Sequence, residues 1–99
     1  MRAISDRNQR ELKLRDTIRE IERTEKALAI LQDDLDRDLM QLALKKRRAN
    51  NNLAGATWEA SISTEMEATT TRYKARMDAA QSKLNVLIEQ RTRLEGREQ

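Results

Sequence analysis

The stretch KKRRANNNLAGATWEAS, Lys45 to Ser61, separates two long runs of charged, helix-forming sequence. It concentrates four consecutive cations, three asparagines, one of the chain's two glycines and its only tryptophan in 17 residues. Its reading decides between one continuous rod and two helices that fold back on each other. Asn50, Asn51 and Asn52 are weak in helix interiors, because their short amides compete for backbone hydrogen bonds, and they favour caps and turns. Gly55 can take the left-handed conformation that ends a helix. Thr57 can cap the next helix, with Glu59 in its first turn facing the positive end of the dipole. Lys45, Lys46, Arg47 and Arg48 then fall in the last turn of the first helix, where cations meet the negative end. The stretch predicts a turn over residues 50–56, joining a helix over 5–49 to a helix over 57–96. A connection this short makes the helices antiparallel neighbours. Each would be roughly 60–70 Å long, whereas an unbroken rod would reach roughly 150 Å. Three asparagines and a glycine in so short a span favour the break.

Composition supports the same fold class. Of 99 residues, 37% are charged and 2% aromatic, with no Pro, Cys, His or Phe. The remainder is rich in Ala, Leu, Arg, Glu, Lys, Gln and Met, the strong helix formers. A compact single-chain core usually relies on aromatic side chains for buried area, and this sequence has two of them. The expected fold is all-α: an antiparallel two-helix coiled-coil hairpin, 1–99, as a single domain. The longest apolar run, Ala27 to Leu31, is far too short to span a bilayer. The first 26 residues are densely charged and lack the apolar segment of a signal peptide. With no cysteine for a disulfide framework, a cytoplasmic location is expected.

The apolar period defines the seam. In the first half it runs Leu14, Ile18, Ile21, Leu28, Leu31, Leu35, Leu39 and Leu42, the 3–4 alternation of one helical face. Glu25 and Gln32 stand where a strict seven-residue repeat from Ile18 would place apolar residues, so an irregularity is expected around 28–35. In the second half the line is Trp58, Ile62, Met66, Thr70, Tyr73, Met77, Ala80, Leu84, Leu87, Arg91 and Leu94. The residues expected to form the self-packing seam are Leu14, Ile18, Ile21, Leu28, Leu35, Leu42, Tyr73, Met77, Leu84 and Leu87. Between them, Glu11 and Arg15, Asp16 and Arg19, and Glu22 and Lys26 are spaced for ion pairs along an exposed helix. Ile30, Met40, Leu44, Val86 and Ile88 lie beside the seam, where two helices alone would leave them partly exposed. A hairpin with this little core is expected to associate, as a homodimer or with a helical partner, to complete a bundle.

Catalytic constellations are lacking. Without His there is no imidazole base, and without Cys no thiolate nucleophile. The two glycines, Gly55 and Gly96, are too far apart for a phosphate-binding loop. Asp34, Asp36 and Asp38 occupy the first three ligand positions of a calcium loop. Its sixth position needs Gly and its twelfth Glu, and here these are Leu39 and Lys45. No metal, cofactor or small-molecule substrate is expected, and no enzymatic activity. The acidic run is better suited to basic residues on a partner. Residues 1–49 carry 13 Lys/Arg against 10 Asp/Glu, and residues 50–99 carry 7 of each, so the excess positive charge lies in the first half. Lys45, Lys46, Arg47 and Arg48 are candidate phosphate contacts, although four consecutive helical residues point in four directions. For partner contact at the tip the candidates are Arg47, Arg48, Leu53 and Trp58, since Trp beside Arg is a typical hot-spot composition. Trp58 either folds inward over Leu53 to close the end of the core or points outward to a partner.

Three resemblances bear on this. Trp58-Glu59-Ala60 near the bend resembles the secreted helical hairpins named for a Trp-Xaa-Gly motif, which dimerise; Ala60 replaces their glycine, and Tyr73 falls where some members carry a second aromatic residue. The overall plan is similar to the coiled-coil stalk proteins of type III secretion and flagellar export. RYKARM, Arg72 to Met77, with Leu84 and Leu87, is similar to a helical stretch of the Gam nuclease inhibitors of Mu-like phages, which bind DNA ends; the β-rich remainder of that family has no counterpart here. The function expected from the residues is a non-catalytic coiled-coil interaction module acting as adaptor, assembly subunit or inhibitor of a larger complex. The alternative is a nucleic-acid-binding helical protein that uses the basic tip.

Overall fold

The computed structural model describes two helices, α1 (Arg2–Ala49) and α2 (Gly55–Gly96), with side chains described for residues 6–49 and 58–96. The protein is an all-α hairpin in which the two helices pack against each other. Residues 50–54, which include Leu53 and the three asparagines, lie outside the described residues, as does the Thr57 side chain. Gly55 is the first residue of α2 and not the left-handed terminator of α1 that the sequence suggests. Ala56 follows it, and a residue of high helix propensity lets the first turn form ahead of Thr57.

The chain divides into two compact units. The central unit comprises Ala29–Asp78. Its core is Leu42, Ala49 and Ile62, all buried, with Met66 packed against them. Leu35 is buried on the same face of α1, and Thr69 on α2. Tyr73 Oη donates a 2.7 Å hydrogen bond to Asp38 Oδ2 across the helices. Ascending α1 from Asp38 to Ala49 therefore means descending α2 from Tyr73 to Ile62, the signature of antiparallel packing.

The terminal unit comprises Met1–Leu28 with Ala79–Gln99. Ile21 and Leu84 are its buried apolar residues, joined by the buried Thr17 and Thr24. Lys83 Nζ lies 3.5 Å from Glu20 Oε2. Lys13, Asp16 and Thr17 share a groove with Gln90, Arg93 and Leu94. Here too, lower numbers on α1 face higher numbers on α2.

The seam differs from the one read off apolar residues alone. On α1 in the terminal unit the inward positions are Leu14, Thr17, Ile21, Thr24 and Leu28, and Ile18 is 36% exposed. These spacings of 3, 4, 3 and 4 form an uninterrupted heptad. The irregularity predicted around 28–35 is thus not present: the repeat passes through Thr24 and Leu31, not Glu25 and Gln32. Threonine can occupy these places because its hydroxyl is satisfied within its own helix. Thr17 Oγ1 donates to the Lys13 carbonyl and Thr24 Oγ1 to the Glu20 carbonyl, each at 2.7 Å. That removes the desolvation cost and leaves the methyl group for packing. On α2 in the central unit the inward line is Glu59, Ile62, Met66, Thr69 and Tyr73, while Trp58 and Thr70 are exposed. Ile62, Met66 and Tyr73 keep their places, and the line shifts by one residue at the other two, from Trp58 to Glu59 and from Thr70 to Thr69.

Candidate interaction surfaces

The expected seam residues sort by burial. Ile21, Leu35, Leu42 and Leu84 are buried. Leu14, Leu28, Tyr73, Met77 and Leu87 are half-buried. Ile18 lies off the line, at the edge of a groove of about 520 Å³ lined also by Glu11, Leu14, Arg15, Arg19 and Glu22. None of the ion pairs expected from spacing, Glu11 with Arg15, Asp16 with Arg19 or Glu22 with Lys26, is closed to within 4 Å among the described residues. Long exposed side chains gain too little from one another in water to be held in a single geometry.

The polar contacts that do cross between helices were hidden from pattern reading. In the terminal unit, Glu20 accepts a 2.8 Å hydrogen bond from Arg23 and faces Lys83. The Arg23 bond first, and then the Lys83 contact, hold the Glu20 carboxyl below its ordinary value of 4.5. In the central unit, the hydrogen bond to Asp38 holds the Tyr73 hydroxyl above its ordinary 10.0, with burial and the negative charges of Asp38 and Asp34 acting in the same direction. A proton donated to a carboxylate is costly to remove. The heptad itself is the signal that could have found this pair, since Asp38 and Tyr73 both fall on inward positions of their helices.

Around the tip, Lys45, Arg47 and Arg48 are exposed and Lys46 is half-buried. Ala49, at the end of α1, is buried. Trp58 is 61% exposed and does not close over the core formed by Leu42, Ala49 and Ile62. Leu53, the fourth tip candidate, lies outside the described residues. Other large apolar side chains also face outward: Leu12, Val86 and Ile88 in the terminal unit, and Ile30, Met40 and Leu44 in the central unit.

The grooves are open and lined by few groups that could do chemistry. One of about 500 Å³ is bordered by Lys13, Asp16, Thr17, Gln90, Arg93 and Leu94. Another, of about 480 Å³, is bordered by Leu39, Met66, Glu67, Thr70 and Thr71. Among the described residues no three His, Cys, Asp or Glu side chains converge as metal ligands would, and no helix is long and apolar enough to cross a membrane. What the arrangement presents is helix surface: apolar side chains set among charges of both signs.

No protein-family profile matches the chain, and neither a curated protein nor a solved structure matches it significantly.

Proposed function

We propose that this chain is a non-catalytic, cytoplasmic interaction module, an adaptor, assembly subunit or inhibitor, that works by packing its exposed helix faces on another helical chain. The observation that carries this is uncovered surface. Several of the side chains left in water are large and apolar, with Trp58 and Met40 more than 60% exposed. Trp and Arg are the residue types enriched in binding anchors, and a second helical layer would cover such faces.

A second reading, nucleic-acid binding, is favoured by the exposed Lys45, Arg47 and Arg48 at one helix end. One experiment separates the two. The full chain, Trp58→Ala, and a variant with Lys45 to Arg48 changed to Gln are tested for co-purifying helical proteins and for binding to DNA and RNA across a salt series. The interaction-module reading expects Trp58→Ala to abolish a protein contact that the neutralised variant keeps. Nucleic-acid binding that falls steeply with salt and disappears on neutralisation would replace it.

A further inference from the structure

We infer that the outer face of α1 in the central unit is a self-complementary docking surface for a second copy of this chain, laid antiparallel about a two-fold axis at Met40. The inference rests on the interaction-module reading and names its partner. Met40 is 67% exposed, more than any other large apolar side chain described, and Leu44, four residues on, is 49% exposed. At about 100° per residue, Met40 points away from the buried Leu35, Leu42 and Ala49, so α2 does not cover this face. Asp33 stands seven residues before Met40 and Arg47 seven after it. Seven residues bring a helix back to within about 20° of its starting direction, so all three share one stripe. The stripe is acidic at one end, apolar at its centre and basic at the other.

That order is its own complement when reversed. With Met40 of each copy at the axis, equal offsets place Asp33 opposite the partner's Arg47 and Arg47 opposite the partner's Asp33. One pair of residues then makes two ion pairs, as an isologous interface requires. Leu44, about 40° from Met40 around the helix, flanks the two methionines. A parallel arrangement in register would set Asp33 on Asp33 and Arg47 on Arg47, so charge selects the antiparallel one. Both groups are available: among the described residues, neither Asp33 nor Arg47 lies within 4 Å of an opposite charge. A nucleic acid suits the face poorly, because Asp33 and the exposed Asp36 occupy half of it. The same arrangement uses Asp33 of the acidic run and Arg47 of the basic run, both of which the hairpin core leaves exposed.

The test is sedimentation equilibrium on the full chain, with helix content followed by circular dichroism. The wild type is expected to dimerise, and less so as salt rises. Asp33→Arg and Arg47→Asp, each turning two attractions into two repulsions, are each expected to weaken the dimer by about tenfold or more. The double variant, and an equimolar mixture of the two singles, are expected to dimerise as the wild type does. A wild type that stays monomeric, single reversals that dimerise unchanged, or a mixture that fails to associate overturns the proposal. If the reversals lose helix content, Met40→Cys replaces them. The chain has no cysteine of its own, so oxidation must give an interchain disulfide at position 40 and not at the exposed Ala68→Cys; equal cross-linking at both also overturns it. Failure here leaves the interaction-module reading intact if a helical partner is still bound through Trp58. That reading falls by its own test.

Discussion

Trp58→Ala decides which way the tip faces, and its cost can be worked from burial. A tryptophan carries roughly 150–250 Å² of contact surface. With 61% of Trp58 exposed, about 80 Å² is hidden, which at 25 cal/mol per Å² gives an upper bound of about 2 kcal/mol. Alanine returns roughly half a kcal/mol through its higher helix propensity. The expected loss is therefore about 1–1.5 kcal/mol, whereas a tryptophan folded into a core would cost about 3–5 kcal/mol on truncation. Ile62→Ala is the internal reference. Ile62 is smaller but 4% exposed and sits against Leu42 and Ala49, so its loss should be about 2–4 kcal/mol. Thermal and urea unfolding at low micromolar concentration, followed by circular dichroism, would measure both. For a chain of this size each kcal/mol moves Tm by about 4–8 °C. As the only tryptophan, residue 58 also reports directly by fluorescence, with red-shifted emission and ready quenching by iodide. A Trp58→Ala loss equal to or above that of Ile62→Ala, with shielded emission, would refute the outward placement.

Other perturbations follow from the same packing. Ile21→Ala should destabilise the chain by about 2–4 kcal/mol and Ile18→Ala by about 1 kcal/mol; equal losses in denaturant titrations would restore residue 18 to the seam. Thr70→Ala and Thr71→Ala remove β-branched residues whose exposed hydroxyls bond only to the Met66 and Glu67 carbonyls of their own helix. The double variant should unfold at a higher temperature, gaining about 1 kcal/mol, whereas Thr69→Asp, which places a charge at a site 4% exposed, should unfold at a lower one. Because the folded Glu20 carboxyl titrates below its ordinary 4.5, its stabilising contacts are present above that pH and are lost as pH falls through the folded value. Glu20→Gln should flatten the acid limb of a Tm-against-pH profile, and an unchanged limb would show that Arg23 and Lys83 do not hold it in solution.

Much of the fold is legible in the residues. Helix-forming composition, the absence of proline and the Asn-rich stretch determine two long helices and a reversal between them, because these effects act over a few residues and need no partner. Leu35, Leu42 and Leu84 are identifiable as inward-facing by period alone. The exact face of each helix is another matter. Ile18, Thr70 and Trp58 stand one residue from the true heptad, and hydrophobicity prefers Ile18 and Trp58 to Thr17 and Glu59. Only the approach of the second helix decides between adjacent positions, since it sets which methyl and methylene groups lose water. The buried Thr17, Thr24 and Thr69 and the Asp38–Tyr73 bond belong to that decision: a threonine reads as polar until its hydroxyl finds its own helix and its methyl meets a neighbour. So local sequence determined the helices and the reversal between them, and the packed pair alone settled the inward face, the polar contacts across it and the exposure of Trp58, because burial is a property of two surfaces in contact.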